Sequence, residues 1–360
     1  MKFLRIILLC FVMLVTSVSV VSSVSNRYEA KPNNNIIIDA DVIDNNYQGD
    51  IPVIFADVIR IPPETIATFL KNDFEEFTLE IDTEDYTEYR NGSVTIGIDI
   101  FGGIYADRED YKKAGYMNSL FHKSRQRNPI EQDLITNRND LTGFSASDVE
   151  EMVKNFLSAV GNIGFEPIID IYPLHVQDIQ NAADLNAKIL RDMYGEDDSF
   201  LNYEYSEEDE CYLVYIRFAD NGVMINTTLE RDINKRYLAG ANVHLLIDKY
   251  GYRYIGVDVL YKKGEYMPQT NKMQNMDDAI MSYASFYEDV LMNPSHVRRI
   301  EFVYLPTAYD NDIDHVTIRP SWCFWIGFDD DSDTCALQFY DAYTGELLCE
   351  SISIIENDEK

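Results

Sequence analysis

The stretch Trp322-Cys323-Phe324-Trp325-Ile326 carries a large or apolar side chain at every position. Because successive residues of a β-strand point to opposite faces of the sheet, Trp322, Phe324 and Ile326 would share one face, and Cys323 and Trp325 the other. A strand that is apolar on both faces is typical of the centre of a sheet covered on both sides. We therefore predict a central strand here. The alternative is a solvent-facing aromatic platform on which sugars stack.

Regular elements are predicted on both sides of this strand. Apolar residues recur at helical spacing over 276–291, which predicts a helix. The sequence from Asp341 to Glu346 suits a type I turn closed by Gly345 at positive φ. The predicted strands of this region are 298–305, 321–328, 335–341 and 346–354. The order is thus a helix followed by antiparallel strands.

The motif Arg-Pro-Ser-Trp-Cys-Phe-Trp at 319–325, followed by Tyr-Asp-Ala-Tyr-Thr-Gly-Glu at 340–346, resembles the PepSY-like family. It is similar to the YycH–YycI-like exported proteins of Gram-positive bacteria, which are mostly uncharacterised. The resemblance is specific over 275–354 and weaker over 145–261. It implies an α+β fold, with helices packed on antiparallel sheets and PepSY-like modules in the C-terminal half. It also implies a binding, inhibitory or regulatory role, and it offers no catalytic residues.

The middle of the chain shows a comparable order. Ser147 and Glu150 form a predicted capping box for a helix that ends at Gly161, and a second helix is predicted over 176–194. The strands predicted after them are 211–218, 223–229, 242–248 and 252–261. The first third is predicted to hold strands 35–43, 51–61, 77–81 and 93–101, with a short helix that begins at the Pro62-Pro63 pair.

Length and composition predict more than one domain. The polar, poorly periodic segment 107–140 is the best candidate for a boundary. We predict a signal peptide over 1–25, an N-terminal α+β domain over 26–140, a PepSY-like module over 141–262 and a C-terminal PepSY-like module over 263–360.

The N-terminus has the anatomy of a secretory signal peptide. Lys2 and Arg5 precede an apolar run over 6–15, and a small-x-small cleavage pattern ends at Ser25. The alternative is an uncleaved membrane anchor through residues 6–24. Both interpretations predict a secreted or extracytoplasmic protein.

The charge balance excludes some partners. Against 62 Asp and Glu stand 30 Lys and Arg, which gives a net charge of −32. A field of that sign repels phosphate backbones and anionic membrane surfaces, so we predict no nucleic-acid partner. A protein or peptide in the cell envelope is the predicted partner, and a membrane contact is expected only through a retained N-terminal anchor.

The sequence carries no recognisable catalytic, cofactor-binding or metal-binding motif. The five histidines form no zinc signature. The acidic run 329–333 lacks the glycine and glutamate of a calcium loop, which favours a solvated hairpin tip. We predict that the cysteines are buried free thiols. The alternative is a bridge between Cys323 and Cys335, which lie symmetrically about Asp329, in a hairpin that turns there.

Two functions remain open from the sequence. The first is a non-catalytic extracytoplasmic binding or regulatory protein without a cofactor. The second is a secreted carboxylate-dependent hydrolase of the glycosidase type, which needs two carboxyl groups facing each other across a cleft. With 62 acidic residues, the spacing of carboxylates along the chain does not discriminate between these functions.

Overall fold

The computed structural model describes residues 24–33, 35–44, 49–108, 135–194, 203–227, 240–287, 295–309, 312–327 and 334–354. Strands hold 51% of these residues and helices 22%. The α+β class is therefore confirmed in broad terms, with more sheet than the sequence predicted. The predicted signal segment up to residue 23, the polar stretch 109–134 and the acidic run 329–333 lie outside the described residues.

The described chain contains strands and helices in the following order. The strands are β1 (Val24–Asn33), β2 (Ile36–Asp44), β3 (Val53–Ile59), β4 (Thr78–Asp82), β5 (Tyr86–Asn91), β6 (Val94–Asp99), β7 (Ile104–Asp107), β8 (Glu166–Leu174), β9 (Cys211–Asp220), β10 (Val223–Met224), β11 (Asn242–Asp248), β12 (Gly251–Val257), β13 (Leu260–Met267), β14 (Ser295–Tyr309), β15 (Asp312–Gly327), β16 (Thr334–Asp341) and β17 (Leu347–Ile354). The helices are α1 (Pro63–Phe69), α2 (Ala146–Val160), α3 (Val176–Tyr194) and α4 (Met276–Tyr287).

Sheet A joins the two ends of the described chain. Its strands follow the order β1-β2-β14-β15-β16-β17, and β3 pairs with both β15 and β13. Strands β14 to β17 pair antiparallel, as predicted, whereas β2 lies parallel to β14. Strands from the first sixty residues therefore complete the sheet of the C-terminal segment.

Sheet B is built from the chain between those ends. Its strands follow the order β10-β9-β11-β12-β7-β6-β5-β4, and β8 pairs with β9. Strands β4 to β7 come from the predicted N-terminal domain and β8 to β12 from the predicted middle module. Strand β4 ends this order and pairs with β5 alone among the described strands.

The inner faces of the two sheets share one continuous hydrophobic core. Ile54 and Phe302 enter it from sheet A, and Ile216 and Ile255 enter it from sheet B, all of them without solvent exposure. The backbone N–H of Asn226, after β10, donates to the carbonyl of Tyr304 on β14 over 2.8 Å. Since each large apolar side chain buried in this way contributes about 1.5–3 kcal/mol, the core is the main stabilising feature of the fold.

Strand β15 is central and covered on both faces, as predicted. Trp322 and Phe324 enter the shared core, while Cys323 and Trp325 belong to a separate apolar cluster on the opposite face of sheet A. Helix α4 lies over the first face, where the Tyr283 ring stacks on Phe324 at a centroid distance of 5.0 Å. Trp322 is 3% exposed and Trp325 1%, so the solvent-facing aromatic platform is excluded.

Helix α2 begins two residues earlier than the sequence indicated. Ser145 and Asp148 form the capping box, not Ser147 and Glu150. Both pairs have the spacing of a capping box. The earlier pair is selected because the Asp140 carboxylate accepts the backbone N–H of Ala146 over 3.0 Å and holds the chain in place one residue after Ser145.

Several predicted strands differ in length from the observed ones, and the predicted strands 298–305 and 321–328 extend to β14 (Ser295–Tyr309) and β15 (Asp312–Gly327). The predicted strand 252–261 is two strands, because β13 leaves sheet B and pairs with β3 in sheet A. The predicted strand 93–101 ends at Asp99, where the chain turns before β7. The predicted strand 223–229 is described as the two-residue β10.

Cys323 is buried, as predicted, and the register of the sheet excludes the alternative of a bridge between Cys323 and Cys335. In the β15–β16 pairing Cys323 lies opposite Phe339, and Cys335 lies opposite Gly327. The centre of this pairing is therefore position 331, midway between residues 327 and 335. The predicted centre, Asp329, lies two residues earlier. This shift separates the two cysteines by four residues along the ladder.

Candidate functional site

The turn between β16 and β17 is held by the buried carboxylate of Asp341. Its Oδ1 accepts the backbone N–H of Tyr343 over 2.7 Å and that of Thr344 over 3.1 Å, and its Oδ2 lies 2.5 Å from the guanidinium of Arg319. Gly345 takes a φ of 70°, as the predicted turn requires. The acid of this motif therefore organises a turn.

The same turn is fastened to its surroundings on several sides. The backbone N–H of Ala342 donates to Pro320, and the hydroxyl of Tyr343 donates to the carbonyl of Ile51 over 2.8 Å. The indole N–H of Trp322 donates to the carbonyl of Gln274 over 3.2 Å. The residues that carry the resemblance are thus packing and turn residues.

The described chain buries seven carboxylates, and each has a partner from the protein. Asp178 accepts backbone N–H groups at the start of α3, and Asp248 receives Arg108 at 2.6 Å and Arg253 at 3.2 Å. The remaining five are held by hydroxyl, backbone, lysine or arginine groups: Asp107, Asp209, Asp220, Glu301 and Asp341. These contacts give each buried acid a structural role, and none of them supports the hydrolase alternative.

Two histidines in the described ranges lie beside an acid, and a third is packed in the sheet. His175 lies 3.3 Å from Glu210 at the start of α3, and His315 lies 3.7 Å from Asp57. His244 is buried and stacks on Tyr215, as expected for a packed residue. Within those ranges, no group of three histidine, cysteine or acidic residues is placed to hold a metal ion.

Several tyrosine hydroxyls donate to carboxylates. In a chain with twice as many acids as basic residues, a hydroxyl supplies a donor where a cation is lacking. Burial first, and then the Glu88 carboxylate, raises the pKa of Tyr86 to about 12. The pairs are Tyr28–Asp277, Tyr86–Glu88, Tyr105–Asp107, Tyr212–Asp140, Tyr250–Glu208 and Tyr266–Asp220. They account for part of the tyrosine content without a binding function.

Strand β4 has an exposed surface that the packing of the fold does not use. All five of its residues are exposed, and Leu79 and Ile81 keep 54% and 40% of their surface in solvent. The stretch 73–85 around it contains seven acidic residues, all exposed, and neither lysine nor arginine. We call residues 73–85 the acidic edge.

The acidic edge is supported from one side. Phe74 packs against Phe77 and Tyr89 at centroid distances of 5.7 Å and 5.0 Å, which attaches the start of the edge to β5. The pairing of β4 with β5 shifts by one residue between Leu79 and Ile81, which is a β-bulge at Glu80. Exposed strand edges offer backbone hydrogen-bonding groups to a partner, so this edge can bind an extended segment.

The sequence predicted the strand at 77–81 but gave no sign of its position in the sheet. The acidic run was visible, yet runs of this kind are usually solvated surface. The site depends on β5 (Tyr86–Asn91), a polar strand that the sequence did not predict. The order of pairing therefore decides that β4 lies at an edge.

Comparison with known proteins gives the fold and no function. No protein-family model matches the chain, and no curated protein matches it. None of the described helices is long and apolar enough to span a membrane. The structure of the C-terminal domain of Bacillus megaterium YpeB aligns at 11% identity over 82% of this chain and 96% of that chain, but its TM-score of 0.24 is too low to carry an argument. An uncharacterised protein from Eubacterium rectale aligns at 14% identity over 89% of this chain and 92% of that chain, with a TM-score of 0.54, and this chain therefore shares its overall fold.

Proposed function

We propose that this chain is a non-catalytic, extracytoplasmic binding or regulatory protein of the PepSY-like kind. We propose further that it recognises a protein or peptide of the cell envelope by adding an extended segment of that partner to β4. The observation that carries this proposal is the exposure of β4, a sheet edge with two large apolar side chains in solvent. Addition of a strand to a sheet edge is a recurring mode of peptide recognition.

The buried acids support the same function. A glycosidase needs one carboxyl group that donates a proton and a second that attacks or activates water. Six of the seven described buried carboxylates instead accept hydrogen bonds from backbone, hydroxyl, lysine or arginine groups that hold turns, helix ends and strands together, and Glu301 lies 3.6 Å from Arg299 in an ion pair. Chemistry at these acids would require that such contacts be broken, so binding is the simpler function.

Capture from the envelope fraction of the producing cell tests the proposal. We expect the full chain to retain one defined partner. The double variant Leu79→Ser/Ile81→Ser should retain about tenfold less of that partner, because a few buried apolar side chains carry most of the binding energy of an interface. The matched control is Met281→Ser/Phe286→Ser on α4, whose side chains are 61% and 53% exposed in the parent chain. Equal capture by the parent chain and the β4 variant would contradict the proposal.

A further inference from the structure

We infer that the acidic edge binds an extended, positively charged segment of a different protein, which carries two apolar residues at odd spacing. This inference rests on the proposed function and names the chemistry of its partner. It follows from three separate features of the edge: its backbone, its bulge and its charge.

The backbone of β4 determines that the partner is extended. One side of β4 pairs with β5 from Thr78 to Asp82, and the other side has no neighbour among the described strands. An edge strand presents its remaining N–H and C=O groups in the plane of the sheet. A segment in the β conformation satisfies these groups, whereas a helix already uses its own backbone groups internally.

The bulge determines the spacing of the partner's apolar residues. Leu79 lies opposite Tyr89, and Ile81 lies opposite Glu88. Because Glu88 and Tyr89 are consecutive residues of β5, they point to opposite faces of the sheet, and so do Leu79 and Ile81. A regular partner strand can contact both Leu79 and Ile81 only if it carries one apolar side chain on each of its faces. Two adjacent apolar residues meet this condition, because successive residues of a strand point to opposite faces. A partner that is apolar on one face alone would leave either Leu79 or Ile81 uncovered.

The charge determines the sign of the partner and excludes a second copy of this chain. None of the seven acids over 73–85 forms an ion pair with a lysine or arginine of the described chain. The nearby Arg90, on β5, lies 3.0 Å from Glu88. Two copies paired edge to edge would place both acidic runs side by side, and like charges at that distance oppose pairing. Lysine or arginine side chains on the partner would instead be attracted by the negative charge of the edge.

Binding of three synthetic peptides to the full chain tests the inference. Each peptide has two adjacent valines, flanked by threonine alternating with lysine, glutamine or glutamate. We expect the lysine peptide to bind about tenfold more tightly than the glutamine peptide, and the glutamate peptide not to bind. Fluorescence anisotropy should also show that the affinity of the lysine peptide falls between about 50 mM and about 300 mM salt, where screening increases.

Variants of the chain test whether the peptide binds at the acidic edge. Leu79→Ser/Ile81→Ser and Glu80→Gln/Asp82→Asn should each weaken the lysine peptide several-fold, and the α4 control Met281→Ser/Phe286→Ser should not. A lysine peptide whose valines are separated by one threonine should bind more weakly than the adjacent pair. Circular dichroism of each variant confirms that the fold is retained.

The outcomes separate this inference from the proposed function. If the glutamine peptide binds as well as the lysine peptide, or if none binds while envelope capture still depends on Leu79 and Ile81, the inference is wrong and the function stands. If sedimentation of the parent chain shows a dimer that Leu79→Ser/Ile81→Ser dissociates, the occupant is a second copy and the inference is overturned. If capture does not depend on β4, the proposed function fails on its own test.

Discussion

Strands β15 and β4 both belong to large sheets, yet their surroundings are opposite. Every residue of β15 from 320 to 327 is buried, whereas all five residues of β4 are exposed. β15 has neighbours on both sides, and β4 pairs with β5 alone among the described strands. The comparison teaches that the position of a strand in its sheet decides whether its side chains stabilise the core or remain available to a partner.

The two regions also differ in how they treat charge. Near β15 the buried acid Asp341 is held by Arg319 and by two backbone N–H groups. Around β4 the seven acids stay exposed and have no lysine or arginine partner within the described chain. The buried acid Asp341 therefore stabilises a turn in one region, whereas in the other region the exposed acids produce a negative field that no lysine or arginine of the described chain neutralises.

The largest expected effect is at the central strand. Trp325→Ala should lower the free energy of unfolding by about 4 kcal/mol, because it removes a large side chain from a site that is 1% exposed and leaves a cavity. Urea unfolding followed by circular dichroism measures the loss. Leu79→Ala on β4 is the matched control, and similar losses for the two variants would remove the contrast between the regions.

The second effect sharpens the difference in charge. Asp341→Ala should cost about 3 kcal/mol, since it leaves Arg319 and two turn N–H groups without their acceptor. The control is Asp314→Ala, whose ion pair with Arg60 is largely exposed and should contribute less than about 1 kcal/mol. Equal losses of unfolding free energy in urea would show that burial does not determine how much these two acids stabilise the fold.

The sequence predicts the buried region far better than the exposed one. The apolar run from Trp322 to Ile326 indicates a strand covered on both faces without any knowledge of its neighbours. Helices α2 and α4 follow from the spacing of apolar residues, and the turn at Gly345 follows from its need for positive φ. Each of these features is local, so the residues that cause it lie close together in the chain.

Features that depend on distant pairing are not visible in the same way. β8 carries Pro167 and Pro173. These prolines argue against a strand, but they are tolerated here because, among the described strands, β8 pairs with β9 alone. The parallel contact of β2 with β14 joins residues about 260 positions apart. The acidic edge is of this second kind, because its exposure follows from the position of β5 and not from its own residues.

A third effect concerns the tyrosine donors that supplement the few cations. The hydroxyl of Tyr212 accepts the backbone N–H of Leu141 over 3.1 Å and lies 2.9 Å from Asp140. Burial first, and then the hydrogen bond with Asp140, raises the pKa of Tyr212 to about 12. Tyr212→Phe should therefore cost about 1–2 kcal/mol at neutral pH, measured by urea unfolding.

The pH dependence of Tyr212 has a defined sign. The folded-state pKa lies above the unfolded value of about 10, so this tyrosine stabilises the fold below pH 10, and the contribution is lost as the pH rises through about 12. Between pH 10 and about pH 12, the free energy of unfolding should therefore fall less in Tyr212→Phe than in the parent chain. Tyr250→Phe, on a ring that is 53% exposed, is the control and should change the free energy of unfolding by less than about 0.5 kcal/mol at neutral pH.

The smallest effect is expected at β4 and is the most informative about the comparison. Leu79→Ala/Ile81→Ala shortens two residues that are already 54% and 40% exposed. Little additional apolar surface is therefore exposed to water, and no closed cavity forms. The free energy of unfolding should change by no more than about 0.5 kcal/mol, whereas Leu337→Ala in the buried strand β16 should cost about 2–5 kcal/mol. A loss above about 2 kcal/mol for the β4 pair would mean that these side chains stabilise the fold itself. A negligible loss would instead leave two large apolar residues with no structural role, which is the condition under which their exposure is best explained by a partner.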